Sequence, residues 1–294
     1  MSVLKVGLLL TALTALFMGI GYFVGGATGM TIAFGLALLM NVGSYWFSDK
    51  MVLKMYGAQP LEAQQAPQLL RMTERLAAAA NVPMPKLYII DDAQPNAFAT
   101  GRNPQNAAVA VNKGLLDILD EREVEGVIAH EIAHIKHRDT LTMTVVATIS
   151  GAVMMVANMG QFAMMFGGMS NSDDEEGGAN PLMMLPLLIL APLAATVIQL
   201  AVSRAREYEA DATAARLTGT PQGLMGALAK LEQTSHTIPP AHANPQTAHL
   251  CIVNPLAGFG GSIGKFFRTH PPTEERIARL QSMQTSPQSV GAWS

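Results

Sequence analysis

Two histidines four residues apart enclose a glutamate in the run His130-Glu131-Ile132-Ala133-His134. On a helix this spacing is about one turn, so both imidazoles leave one face and can grip one divalent ion, with Glu131 beside it to take a proton from water. That is the chemistry of zinc-assisted hydrolysis. Apolar Val127, Ile128, Ile132, Ala133 and Ile135 surround the run. Unpartnered polar groups would be costly in such a helix, which favours a metal over a chance match. A catalytic zinc takes three protein ligands and keeps a position for water. Glu207-Tyr208-Glu209-Ala210-Asp211 offers the third. Glu207 and Asp211 share a helical face, so Glu207 can ligate while Asp211 steadies an imidazole from outside. The same spacing equally suits a solvated face paired with Arg204 and Arg206. Glu209 points elsewhere and is expected in solvent. His137 lies three residues past His134, directed away from the shared centre, and His236, His242 and His249 fall in loop sequence. His270 precedes Pro271-Pro272, whose stiff backbone would hold it.

These side chains need a frame. Residues 49–140 and 203–294 are the polar segments of the chain. In the first, residues 64–80 have helical spacing, with Pro67 in the first turn. Lys86-Leu87-Tyr88-Ile89-Ile90, Asn96-Ala97-Phe98-Ala99-Thr100-Gly101 and Ala107-Ala108-Val109-Ala110-Val111 read as strands, the last two joined by a turn through Arg102-Asn103-Pro104. Asp120 and Glu123 form a capping-box pattern opening the motif helix, predicted over 121–139 and able to continue into the apolar segment beyond. In the second polar segment, helices are predicted over 204–217, 221–234 and 273–283, with 236–265 as loop and a disordered tail from Thr285. Asn96, Ala97, Phe98 and Ala99 could offer a strand edge to an extended peptide; ordinary core packing is the competing reading.

The remaining sequence is a membrane sequence. Only 14% of the 294 residues are charged, against roughly 25% in soluble proteins, and mean hydropathy is +0.25. No charge occurs between Lys5 and Asp49, between Asp139 and Asp173, or from Gly177 to Ser203. As helix, residues 6–48 would cover about 65 Å, enough for two crossings, predicted near 4–24 and 30–48 with Gly25, Gly26, Thr28 and Gly29 as the turn. A cleaved signal peptide fits less well, because a second span follows at once. Segments 141–168 and 181–202 form a second pair, made irregular by Pro181, Pro186 and Pro192; a hairpin that only dips into the bilayer is the alternative. With both ends on one side, every Lys and Arg falls there, leaving only Asp173, Asp174, Glu175 and Glu176 outside. This positive-inside pattern puts both termini and the motif in the cytoplasm. The expected fold is an α-helical membrane protein with an α+β zincin-like catalytic domain: four transmembrane helices plus a small sheet next to the motif helix. It divides into 1–48 (two spans), 49–140 (first catalytic half), 141–202 (two spans and the acidic loop) and 203–294 (second catalytic half). The net charge of −3 gives no argument for nucleic acid, and the single Cys251 excludes an intramolecular disulfide and a cysteine-rich zinc site.

His130-Glu131-Ile132-Ala133-His134, Ser203-Arg204-Ala205-Arg206-Glu207-Tyr208-Glu209-Ala210-Asp211, Thr269-His270-Pro271-Pro272 and the upstream Asn96-Ala97-Phe98-Ala99-Thr100-Gly101 occur in an order that resembles the HtpX family of membrane zinc proteases, relatives of the CAAX prenyl proteases. The resemblance runs over nearly the whole chain. It implies a multi-pass endopeptidase of the bacterial inner membrane, its site facing the cytoplasm, acting on misfolded membrane proteins or unfolded polypeptides under heat or envelope stress. It implies one Zn²⁺ per chain, completed by Glu207 and supported by Asp211, with His270 near the active site. Three other classes compete. A CAAX-type processing enzyme would need a larger intramembrane chamber and more spans. A scaffold with structural zinc would have a closed four-ligand site and no task for Glu131. A transporter would carry charges within its spans, which hold only Asn41, Asn158, Gln161 and Gln199.

Overall fold

The structure, a computed structural model, describes residues 2–62, 64–145, 204–235, 251–252 and 271–285. The predicted second pair of apolar segments (apart from 141–145), the loop 236–265 (apart from 251–252), His270 and the tail beyond 285 lie outside the described residues.

The chain opens with a long helix, α1 (Ser2–Met55), broken at Gly25 and Gly26, where Gly26 takes φ +59°. That left-handed backbone suits glycine and turns the helix back on itself. Asn41 Nδ2 donates to Thr14 Oγ1 at 2.9 Å across the two arms. A Cβ on Gly21 would lie 2.5 Å from the Gly29 carbonyl oxygen, so the arms meet backbone to backbone near the turn. The turn is tighter than the sequence suggests, using two residues instead of four. Among the described residues one stretch, Gly25–Phe47, is long and apolar enough to cross a membrane, and Leu36, Leu38, Leu39 and Val42 on it are exposed.

A four-stranded mixed sheet follows, in the order β1-β2-β4-β3: β1 (Gln59–Pro60), β2 (Lys86–Ile90), β3 (Ala97–Gly101) and β4 (Ala107–Asn112). β2 and β4 are parallel; β1 and β3 join as antiparallel edges. Alternation sends Ala107, Val109 and Val111 into the main helical core, and Ala108 and Ala110 into a second cluster with Val52, Leu53 and Phe98. Both faces are therefore covered, which explains the unbroken apolar run in β4. Three strands were predictable; β1, two residues long, has no periodicity to read.

The main core is built around α4 (Glu121–His137), which packs on α2 (Pro67–Ala80), β3, α5 (Arg204–Thr218) and α6 (Gln222–Ser235), while α7 (Thr273–Thr285) closes over α5 and α6. The short α3 (Lys113–Ile118) links β4 to α4. α2 begins at Pro67 itself, in the first-turn position that needs no N–H, three residues later than predicted. The capping box is present: Asp120 Oδ1 accepts from the Arg122 and Glu123 amides, and Glu123 Oε2 accepts from the Asp120 amide. α4 stops earlier than the expected 139. Arg138 adopts a left-handed conformation (φ 60°), and a new helix begins at Thr140 instead of a straight continuation.

Candidate active site

α4 presents His130 and His134 from one buried face, their Nε2 atoms 3.2 Å apart. α5 brings Glu207 opposite them: its Oε2 lies 3.6 Å from His130 Nε2 and its Oε1 3.6 Å from His134 Nε2. The three side chains are buried, and one donor atom from each falls within a 4.8 Å cluster. Two imidazole nitrogens and a carboxylate suit a divalent transition metal. Charge balance agrees once both histidines are neutral, as metal ligands must be. Glu131, Asp139, Glu207 and Asp211, buried carboxylates beside the guanidinium groups of Arg206 and Arg276, would then leave two negative charges when ionised, which a divalent cation would neutralise. The residues present therefore fit such an ion.

Each imidazole is held from behind. His130 Nδ1 lies 3.0 Å from Asp211 Oδ1. Asp211 in turn accepts two hydrogen bonds from Arg276 of α7, at 2.6 and 2.8 Å. Burial alone would raise the Asp211 carboxyl, but the Arg276 charge and its hydrogen bonds outweigh it and hold the group at about 2. Burial would likewise lower His130, yet Asp211 and Glu207 lift it to about 9 in the metal-free protein. His134 Nδ1 lies 3.3 Å from Asp139 Oδ2, and Asp139 also meets Arg206 at 3.4 Å. These outer contacts fix tautomer and ring orientation. Asp139 reaches back because the chain breaks at Arg138. Glu207 and Asp211 are thus engaged by the histidines and Arg276, and Arg206 pairs with Asp139, so α5 does not present the alternative solvated salt-bridge face.

Glu131 projects toward the sheet. Its Oε2 accepts from the Ala99 amide of edge strand β3 at 2.6 Å, and burial raises its carboxyl. Ala97, Phe98 and Ala99 are buried along β3. Asn96, just before it, is turned inward: Oδ1 accepts from the Ile252 amide at 3.1 Å, and Nδ2 reaches Cys251 Sγ at 3.5 Å. The Cys251 thiol is pushed by burial to about 12. Ile252 O accepts from Arg276 Nη1, so Asn96 and the Asp211 clamp share one strut. His137 stays outside the cluster, near Thr213 Oγ1 at 3.5 Å, and Glu209 is largely exposed. Asp139 and Arg276 were not singled out in the sequence. Asp139, five residues past His134, carried a weak signal; Arg276 lies 65 residues beyond Asp211 and carried none.

A buried two-histidine, one-carboxylate cluster beside a second glutamate defines a metallopeptidase. The pattern of peptidase family M48 matches residues 63–284, and the chain belongs to that family; it is a metalloprotease. It is 55% identical over 275 residues to a Protease HtpX homolog of Syntrophobacter fumaroxidans, covering 94% of this chain and 97% of that one. It is 53% identical over 284 residues to a Protease HtpX homolog of Methylibium petroleiphilum, covering 96% and 98%. Among solved structures it resembles Ste24p of S. mikatae, with a TM-score of 0.51 at 19% identity. That match covers 92% of this chain but 62% of Ste24p, less than two thirds of its length, and it speaks for the fold alone.

Proposed function

We propose that the chain is a multi-pass, membrane-embedded, zinc-dependent endopeptidase of the bacterial inner membrane, with its site and both termini in the cytoplasm. His130, His134 and Glu207 hold one zinc ion per chain, and Glu131 moves the proton. The observation that carries this reading is the convergence of those three donors on one buried point, with the buried Glu131 carboxyl close enough to feel the charges of all three. When bound, the ion supplies Lewis acidity to water and to the scissile carbonyl. Glu131, its carboxyl raised by burial, takes a proton from the attacking water and delivers it to the leaving amine. Asp211 and Asp139 keep both imidazoles in register from behind. An extended substrate lies along the outer edge of β3, beside Ala97, Phe98 and Ala99, with Asn96 holding the start of that strand through Ile252. His270, on the resemblance to relatives, steadies the transition state. Backbone pairing reads little side-chain identity, which suits misfolded or unfolded membrane-protein substrates. Residues 1–48 and 141–202 supply two spans each, the second pair joined by the acidic loop Asp173–Glu176 outside the bilayer, while 49–140 and 203–294 form the two catalytic halves.

The test is Glu131→Gln in the purified full chain. Cleavage of an unfolded test protein should fall by about 10²–10⁴-fold or more, with metal content unchanged. Undiminished cleavage in that variant sinks the proton shuttle.

A further inference from the structure

The candidate substrate strand is fastened to the membrane hairpin. Phe98 of β3 packs with Val52 and Leu53 at the base of α1, and its ring centroid lies 5.0 Å from that of Tyr56. At the other end of β3, the Arg102 guanidinium stacks 4.6 Å over the Trp46 ring. The second arm of α1 also shows where a bilayer surface would fall. Gly25–Phe47 spans 23 residues, about 34 Å as helix, against roughly 30 Å of hydrocarbon. It ends in the exposed aromatics Tyr45, Trp46 and Phe47, followed by exposed Lys50 and Lys54. Amphipathic rings beside cations are the side chains that settle at the headgroup layer, and the cations complement anionic lipid. Arg102 joins that girdle.

Chain geometry then limits the depth of the site. Ala99 is three residues from Arg102, no more than about 10 Å of extended strand. The Ala99 amide is bonded to Glu131. We infer that the reacting centre works at the headgroup layer of the bilayer, and that in a membrane it cuts juxtamembrane stretches, polypeptide just leaving the bilayer, ahead of more distant segments of the same chain. This rests on the membrane-protease reading above and adds the substrate class to it.

The experiment uses the full chain carrying Trp293→Phe, so that Trp46 is the only tryptophan, reconstituted in phosphatidylcholine vesicles brominated either near the headgroup or near the bilayer centre. Trp46 fluorescence should lose more intensity to the shallow bromines than to the deep ones. Stronger loss to the deep bromines, or none in protein that floats with the vesicles, overturns the placement and leaves the membrane reading standing. Protein that does not float with the vesicles overturns both. In the same vesicles, unmutated chain is given a transmembrane helix bearing a long unfolded extension, and the cuts are mapped by mass spectrometry. They should fall within roughly ten residues of the last apolar residue, the reach of a short extended segment. Cuts spread evenly along the extension would overturn the substrate class.

Discussion

Asp139 is the residue whose placement most changes the view of the site. It sits where α4 breaks, meets His134 Nδ1 at 3.3 Å and takes Arg206 on its other oxygen. Asp139→Asn keeps the shape and removes the charge. Removing such an outer partner costs metal affinity about 10–100-fold, and chelator competition on the purified chain measures it; unchanged affinity would show that the contact has no bearing on the metal. His130 gives a pH signature. Burial pulls its pKa down, but Asp211 and Glu207 raise it to about 9, above the ordinary 6.5. A raised histidine stabilises the folded state fully below the unfolded value and loses that contribution as pH rises through 6.5 toward 9. The metal-free chain should therefore melt progressively lower across that window. Metal binding has the opposite slope, because the ligand must lose its proton. Thermal unfolding with and without chelator should show the two curves diverging as pH rises; parallel curves would contradict the assignment. The two histidines and Glu131 were legible from spacing alone. Glu207 was legible only as one of two alternatives; the face α5 turns inward brings it beside both histidines. Arg276 was not legible, because a pair separated by 65 residues leaves no local pattern.

At the scale of elements, α4 is held by close approach as much as by apolar contact. A Cβ on Gly126 would collide with the Leu224 amide nitrogen and sit 2.8 Å from the Gly223 carbonyl carbon, so α4 and α6 touch main chain to main chain there. Gly126→Ala should destabilise the fold by about 1–3 kcal/mol, because neither backbone can yield without moving a helix. Denaturant unfolding of the metal-loaded chain measures this, and wild-type stability in that variant would mean the helices can part freely. The starts of α4, α5 and α7, the capping box and β2, β3 and β4 were readable because period, caps and turn residues are local. The parallel pairing of β2 with β4 and the edge position of β3 were not, since strand order is decided by which faces the helices cover. The end of α4 was misread for a related reason. Residues 136–139 are polar and helix-compatible; the left-handed Arg138 caps the His134 and Ile135 carbonyls and lets Asp139 reach back to His134, a contact with only a weak local sequence signal.

For the whole molecule, the arrangement joins two tasks in one frame. The sheet has one face on the helices that carry His130, His134, Glu207 and Glu131 and the other on the base of the α1 hairpin, so the candidate site and a helix long and apolar enough to cross a membrane pack against opposite faces of one sheet. The lack of charge over residues 6–48 announced the hairpin, and Gly25, Gly26, Thr28 and Gly29 located its turn, which the structure confines to the first two. How the sheet is fixed to it could not be read, because Arg102 and Trp46 are far apart along the chain and share no periodicity. The central claim concerns what His130, His134 and Glu207 hold, and X-ray absorption at the zinc edge of the purified, metal-loaded full chain addresses it most directly. The expected spectrum shows two imidazole nitrogens and light oxygen donors at about 2.0–2.2 Å, with no sulfur. A folded chain that takes up no zinc, or holds it without imidazole among its nearest neighbours, would contradict the claim.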